Sequence, residues 1–308
     1  MRAKFLDCGV AQYKLWQDAQ RHLKVPVDVN TEAFQPAEIP KMLHGYDICI
    51  DDHTRFPSEI LEQCRTIKHF VYFGTGAASI LDLQLADRLG IKVHTIRNYG
   101  DTTVAELTVG LIFAAARQIA QQHEVLRQNG WKKLQGMELR GKRIGIIGYG
   151  GIGREVARIC DGVALDVVVW NRTPVSERGI KSVSLDELLA SSDIVSLQLA
   201  LNEETRQFMN KTRLAALKPG AILVNTARGA LVDEVALIQS LQSGAIGHAA
   251  LDVFETEPLP EHHPLRSAPN VTLTAHCGFW TENATINQVR LVLNIVKDLL
   301  SEPVAVRA

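Results

Sequence analysis

Between Lys142 and Gly153 a short apolar run, Ile144, Ile146 and Ile147, ends directly in Gly148-Tyr149-Gly150-Gly151-Ile152-Gly153. A run of that length predicts a buried parallel strand. Arg154 to Cys160 follows with Val156, Ala157 and Ile159 or Cys160 at helical spacing, and Asp166 to Trp170 predicts the next strand. The glycines therefore stand at a strand-to-helix junction inside a βαβ unit. There Gly148 permits the tight turn, Gly150 lets the backbone approach a pyrophosphate, and Gly153 lets the helix pack on the strand. Free N–H groups at the helix start face the anion. A turn with no ligand would leave the third glycine without a reason.

The rest of the chain alternates in the same way. Phe5-Leu6, Val25 to Val29, Asp47 to Ile50, Ile67 to Phe73 and Ile91 to Thr95 predict strands of a first α/β unit, with helices at Pro57 to Arg65 and Leu81 to Leu89. After the glycine loop, strands are expected at Val167 to Trp170, Ile194 to Leu199, Ala221 to Asn225, His248 to Val253 and Val271 to Thr274. Helices fall between them at Leu185 to Ala190, Thr212 to Ala216 and Glu234 to Ser243. Each connection is long enough for a parallel crossover, so the fold class is α/β with a doubly wound parallel sheet. Thr281 to Leu300 predicts a closing helix with Ile286, Val289, Val292, Ile295, Val296 and Leu299 on one face.

Thr103 to Gln128 reads as one long helix, with Asp101 or Thr102 as N-cap and Glu106 in the early turns. From Val104 to Ile119 it is apolar on nearly all sides, which requires more than one covering neighbour: another domain, a second subunit, or both. At 308 residues the chain suits two domains. A formal net charge of −1 gives no electrostatic case for nucleic acid or a membrane surface. No apolar run reaches membrane-spanning length, and Lys4 and Asp7 interrupt the start where a signal peptide needs an apolar core. The expectation is a cytoplasmic protein. Five scattered cysteines without a Cys-x-x-Cys pair predict neither a disulfide framework nor a zinc site. His262-His263 lacks partners at zinc spacing, so no metal is expected.

Three polar residues stand just beyond apolar strands, where a parallel sheet presents its ligand-binding edge: Arg228, Glu257 and His276. Together they suit hydride transfer at a carbonyl. Arg228 can bind a substrate carboxylate through two hydrogen bonds and polarise the adjacent carbonyl. His276 can deliver the proton as hydride arrives, and Glu257 beside it would favour the protonated imidazole. Read singly, each is more readily a surface ion pair for Arg228, a solvated loop charge for Glu257 and a core or loop histidine for His276. Gly74-Thr75-Gly76, at another strand exit, could hold a small carboxylate through backbone N–H groups or be a plain turn. His53 could face a substrate or simply lie in a solvated loop.

With these motifs in order, the chain resembles the D-isomer-specific 2-hydroxyacid dehydrogenases, of the glyoxylate and hydroxypyruvate reductase kind. The resemblance rests on Val104-Ala105-Glu106, Gly148 to Gly153, Asn225-Thr226-Ala227-Arg228-Gly229, Ala250 to Pro258 and His276, and runs through nearly the whole chain. It implies that Arg228, Glu257 and His276 are catalytic, with Arg228, His276 and Gly74, Thr75 and Gly76 touching substrate. It implies cofactor contacts from Tyr149, Gly150, Gly151, Ile152, Thr226, Ala227, Asp252 and Gly278, with Asp252 holding the nicotinamide carboxamide. It also implies a Rossmann-type cofactor domain, residues 98–280, inserted into a smaller flavodoxin-like α/β substrate domain, residues 1–97 and 281–308, and a homodimer. The chain departs from the family pattern in having Ala77-Ala78-Ser79 where Asp and Asn are frequent, and Ala275 and Cys277 to Trp280 around the histidine.

After Val167 to Trp170 an NAD enzyme places Asp or Glu on the ribose hydroxyls; here Asn171, Arg172 and Thr173 follow. An amide, a guanidinium and a hydroxyl fit a 2′-phosphate better, so NADP is expected over NAD. The expected activity is hydride transfer between NAD(P)H and a small 2-oxo acid, giving a D-2-hydroxy acid. The alternatives are a dinucleotide-sensing protein of the corepressor kind or a dehydrogenase of another small anion, such as phosphite.

Overall fold

The computed structural model describes residues 1–268 and 270–301. The chain forms two compact units, Met1–Gly100 with Thr281–Ala308, and Asp101–Trp280. In the first unit the elements are β1 (Ala3–Phe5), α1 (Val10–Leu23), β2 (Val27–Val29), α2 (Ile39–Met42), β3 (Ile48–Asp51), α3 (Ser58–Leu61), β4 (His69–Tyr72), α4 (Leu83–Arg88) and β5 (Lys92–Thr95). The five strands pair in parallel in the order β2-β1-β3-β4-β5, the flavodoxin-like order. The helix expected over Pro57 to Arg65 is only the single turn α3, because Glu62 to Thr66 folds into tight turns closed by hydrogen bonds such as Cys64 N–H to the Leu61 carbonyl.

Sheet order is set by which apolar side chains each face must cover. On one face Phe5, Trp16 and Phe73 form a ring cluster, with centroids 4.7 Å apart for Phe5–Trp16 and 5.5 Å for Phe5–Phe73. The last helix of the chain within the described residues, numbered in its place below, packs Val289, Val292, Val296 and Leu299 into the same cluster. Leu293 joins them, while Ile286 and Ile295 are only half-buried, so the inward face is rotated from the expected one. Gln288 belongs to that face because its amide donates to the Phe73 carbonyl (3.0 Å), a buried acceptor at the exit of β4.

The second unit runs α5 (Asp101–Ala116), α6 (Ile119–Arg127), β6 (Arg143–Ile147), α7 (Gly151–Gly162), β7 (Asp166–Trp170), β8 (Lys181–Ser182), α8 (Leu185–Ser191), β9 (Ile194–Leu197), α9 (Lys211–Ala215), β10 (Ala221–Asn225), α10 (Glu234–Gln242), β11 (Ile246–Leu251) and β12 (Val271–Leu273). The closing helix of the first unit is α11 (Glu282–Ser301). The sheet order is β12-β11-β10-β9-β6-β7-β8, all parallel, with the direction of winding reversing between β6 and β9. That is the doubly wound arrangement, and ligands of such sheets bind beyond the strand C-termini at the reversal. The glycine loop leaves β6 at that point.

The long helix expected from Thr103 to Gln128 is two helices, α5 and α6, bent by 63°. Gln118 takes a left-handed conformation (φ 51°), and the Ala116 carbonyl accepts the Met137 N–H (2.7 Å) while the Gln118 amide donates to the Gln135 carbonyl (2.7 Å). Residues 135–137 thus replace the next helical turn as partners for the end of α5. Helix α5 is buried on two sides by α7 and the sheet through Ala105, Val109, Leu111, Ile112, Ala115 and Ala116, and exposes Gly110 and Phe113. No single helix among the described residues is long and apolar enough to cross a membrane.

The core of this unit carries a pH liability. His248 on β11 is 4% exposed, its Nε2 lies 2.9 Å from Thr272 Oγ1, and burial pushes its imidazole from 6.5 down to about 4. Between those values the unfolded chain binds a proton that the folded one refuses, so stability falls as pH falls. The expected loss between pH 7 and pH 5 is about 2 kcal/mol. Urea unfolding at the two pH values should show that difference, and His248→Gln should largely abolish it.

Candidate active site

Four loops leave the C-terminal ends of β6, β10, β11 and β12, and each carries part of the site. After β10, the buried Asn225 accepts the Ala227 N–H (3.0 Å) and donates to the Arg228 carbonyl (2.9 Å), locking the turn that presents Arg228. The Arg228 guanidinium donates through Nη1 to the Ala227 carbonyl (2.6 Å). A side chain on Gly229 would overlap the Phe254–Glu255 backbone, so only glycine lets this loop press against the loop after β11. That contact draws Arg228 toward Glu257.

Glu257 and His276 are hydrogen-bonded, Oε2 to Nδ1, at 2.6 Å. The second oxygen of Glu257 accepts the Phe254 N–H (2.9 Å). Burial alone would raise the Glu257 carboxyl, but the bonds from His276 and Phe254, with the charges of His276 and Arg228, hold it below the ordinary carboxylate value. Glu257 is therefore ionised at neutral pH and accepts the Nδ1 hydrogen. Glu257 engages only Nδ1 of the His276 ring, not Nε2. The three residues expected to act together are brought together.

The histidine's loop is built around Asp252, which is 1% exposed. Its Oδ1 accepts from Thr274 Oγ1 (2.6 Å) and the Cys277 N–H (3.0 Å), its Oδ2 accepts the Gly278 N–H (2.9 Å), and its carbonyl accepts the His276 N–H (2.7 Å). His276 is held at φ 50°, in the left-handed region that costs a non-glycine residue about 1 kcal/mol. Both carboxylate oxygens of Asp252 thus serve the 274–278 loop, so the residue expected to hold a carboxamide is first an organiser of the loop that carries His276. Phe279 stacks edge-on against the His276 ring at 6.3 Å, and Trp280 packs on Phe279.

The glycine loop has the shape a diphosphate needs. Gly148 has φ 99°, and a side chain there would overlap the Gln198 carbonyl, while one on Gly153 would overlap the Gly148 carbonyl. Gly150 faces open space, and no side chain caps the start of α7. Asn171 after β7 accepts the Tyr149 N–H (3.2 Å) and donates to the Thr173 carbonyl (3.0 Å), tying the two loops together. Arg172 projects into solvent and meets only the equally exposed Glu204, at 3.2 Å, among the described residues. The Thr226 hydroxyl lies buried 2.7 Å from Thr108 Oγ1, with the Gln198 amide at 3.4 Å. Gln198 Oε1 is buried without a hydrogen-bond donor among the described residues. Glycine cradle, open helix start and unmet acceptor all fit a dinucleotide.

The family is settled by sequence comparison over this same region. Residues 109–278 match the family model described as D-isomer specific 2-hydroxyacid dehydrogenase, NAD binding domain. The chain belongs to that family. It is an NAD(P)-dependent oxidoreductase of 2-oxo and 2-hydroxy acids. It is similar to a hydroxypyruvate reductase of Thermotoga maritima, 35% identical over 285 residues that cover 91% of this chain and 92% of the relative. It is also similar to a glyoxylate reductase of Aeropyrum pernix, 36% identical over 77% of this chain and 74% of that one. A crystal structure of a glyoxylate reductase from Paecilomyes thermophila superposes with a TM-score of 0.85 at 31% identity, covering 98% and 96% of the two chains. The sensor and other-anion alternatives gain nothing from these relatives.

Other candidates take quieter places. In the first unit Gly74-Thr75-Gly76 leaves β4 and runs into a 3-10 turn at Ala77–Ser79. His53 Nδ1 lies 3.3 Å from Asp7 Oδ2, and Asp7 also accepts the N–H groups of Asp52, His53 and Thr54. His263 is paired with Glu234 (2.9 Å) and caps the turn at Leu265, which gives it a structural role. Asn225, Thr274, Thr108 and Gln198 were not singled out from sequence; only Asn225, inside the Asn-Thr-Ala-Arg-Gly motif, carried a signal there.

Proposed function

We propose that this member of the family reduces glyoxylate, hydroxypyruvate and comparable short 2-oxo acids to D-2-hydroxy acids, with NADPH preferred to NADH. The observation that carries the reading is the Glu257–His276 pair with Arg228 drawn beside it, on the same sheet edge as the glycine loop. A bound dihydronicotinamide supplies the hydride. Arg228 binds the substrate carboxylate and polarises the adjacent carbonyl, and Nε2 of His276 donates a proton to the carbonyl oxygen as the carbon is reduced. Glu257 fixes the ring through Nδ1 and stabilises its positive charge before transfer. Backbone N–H groups of Gly74, Thr75 and Gly76 are assigned to the carboxylate as well, and Tyr149 to Ile152, Thr226, Ala227, Asp252 and Gly278 to the cofactor.

The NADP preference rests on Asn171-Arg172-Thr173, where no carboxylate repels a 2′-phosphate and Arg172 is tied only by an exposed ion pair of little strength. Arg172→Ala should raise the KM for NADPH about tenfold and leave that for NADH nearly unchanged. Steady-state kinetics with both cofactors measures it. We further assign a homodimer in the cytoplasm. Phe113 on α5, Ile119 and Leu126 on α6, and Trp131 beyond it are 37%, 54%, 56% and 85% exposed, an apolar stripe that a second copy would cover. The five cysteines, all free, suit a reducing compartment.

The direct test is loss of reduced-nicotinamide absorbance with purified protein, each cofactor, and a panel of glyoxylate, hydroxypyruvate, pyruvate and bulkier 2-oxo acids. Rapid NADPH oxidation with a short acid is expected. Tight cofactor binding with no oxidation across the panel would overturn the assignment.

A further inference from the structure

Helix α7 starts at Gly151 with its first N–H groups uncapped by any side chain. The Cβ direction of a helical residue tilts toward the helix N-terminus, so whatever occupies the Cβ position of Gly151 lies beside the first turn of that helix, leaning toward its anion-binding end. In this protein that position is filled by Asp101: a side chain on Gly151 would overlap Asp101 Oδ2. Asp101 is also the first residue of α5. One carboxylate therefore stands at two helix N-termini, its own and that of α7, where positive ends of helix dipoles favour a negative charge. No cation is paired with it among the described residues, and burial raises its carboxyl above the ordinary value.

We propose that Asp101 is an affinity determinant of the cofactor site: a built-in anion beside the start of α7 that opposes the cofactor diphosphate there. The proposal rests on the reading of Gly148 to Gly153 as the cofactor cradle. The diphosphate and the Asp101 carboxylate carry the same sign, and the carboxylate lies beside the first turn of α7, close to where the diphosphate would sit. Binding therefore works against the charge of the carboxylate, and the dinucleotide is held more loosely than the cradle alone would hold it. Such loosening favours release of the spent cofactor after each turnover.

Replacing the charge while keeping a residue that suits a helix start separates this from a structural role. Asp101→Asn is nearly isosteric and Asp101→Ser is a second neutral residue favoured at helix N-termini. Calorimetric titration of the full chain with NADPH, NADH, ADP and adenosine is the measurement, with thermal melting to confirm that each variant folds. The expected result is about tenfold tighter binding of NADPH, NADH and ADP by both variants, a typical coupling between competing charges, and unchanged binding of adenosine, which lacks the diphosphate. Unchanged or weaker binding of the diphosphate ligands, or equal tightening of adenosine, would overturn the proposal. Failure of wild type and variants alike to bind any dinucleotide would remove the cradle reading itself, a result distinct from wild-type binding that the substitutions leave untouched.

Discussion

His276→Ala should lower kcat for 2-oxo acid reduction by about a thousandfold while leaving the Kd for NADPH close to that of the parent. General acid catalysis by a positioned side chain contributes about 10²- to 10⁴-fold, and the proposed donor is Nε2 of His276, whose ring is held through Nδ1 by Glu257. On the assignment proposed above, most cofactor contacts come from the glycine loop and the Asn171–Thr173 turn, and the His276 side chain itself is not among them, so binding should change little. Glu257→Gln provides the graded companion. The amide keeps roughly the same shape and can still meet Nδ1, but it lacks the charge that supports the imidazolium, and kcat should fall about tenfold to a hundredfold. If His276→Ala turned over at near-parental rate, the proton donor would have to be another group.

The Glu257 carboxylate also has an acid limit. Its folded-state value is depressed, so the stability it contributes is present above the ordinary carboxylate range and is lost as pH falls through the depressed value. Glu257 and the His248 core site therefore respond in sequence on acidification: first the core begins to lose stability below about pH 6.5, and only at lower pH does the Glu257 carboxylate lose its charge.

The features most legible in the sequence were those in which a backbone constraint admits few residue types. Gly148, Gly153 and Gly229 each sit where a side chain would overlap neighbouring backbone, so the glycines mark the close approaches themselves. Apolar strands with polar residues just beyond them located Arg228, Glu257 and His276 for a similar reason: a buried parallel strand must be apolar along its length and can bear chemistry only at its end. The break between α5 and α6 left no mark. Gln118 has no special liking for the left-handed region, and the bonds that end α5 come from Gln135 and Met137, well downstream. The organising bonds of Asp252 left no mark in the sequence, because its partners Thr274, Cys277 and Gly278 belong to a different strand's loop. Asp101 reads as a helix cap in sequence; its contact with Gly151 exists only because α5 and α7 pack side by side.

Arg228→Lys should prove nearly as damaging as removal of the side chain, and that outcome distinguishes a geometric role from a merely electrostatic one. The charge is conserved, and a lysine ammonium could still lower the Glu257 carboxyl. A planar guanidinium offers several donors in a fixed fork, however, and here one nitrogen already donates to the Ala227 carbonyl (2.6 Å). That bond braces the group so that the remaining donors can grip a carboxylate and the adjacent carbonyl oxygen together. An ammonium on a flexible stem can do one of these, not both. The expected result for Arg228→Lys is a fall of about 10²- to 10³-fold in kcat/KM for the 2-oxo acid, and for Arg228→Ala about 10³-fold or more. Because binding and polarisation are lost together, KM should rise and kcat should fall in both variants. A rise in KM alone would assign Arg228 to substrate binding and pass the polarising role to His276. A fall in kcat alone would leave Arg228 the polarising role and assign the carboxylate to another group.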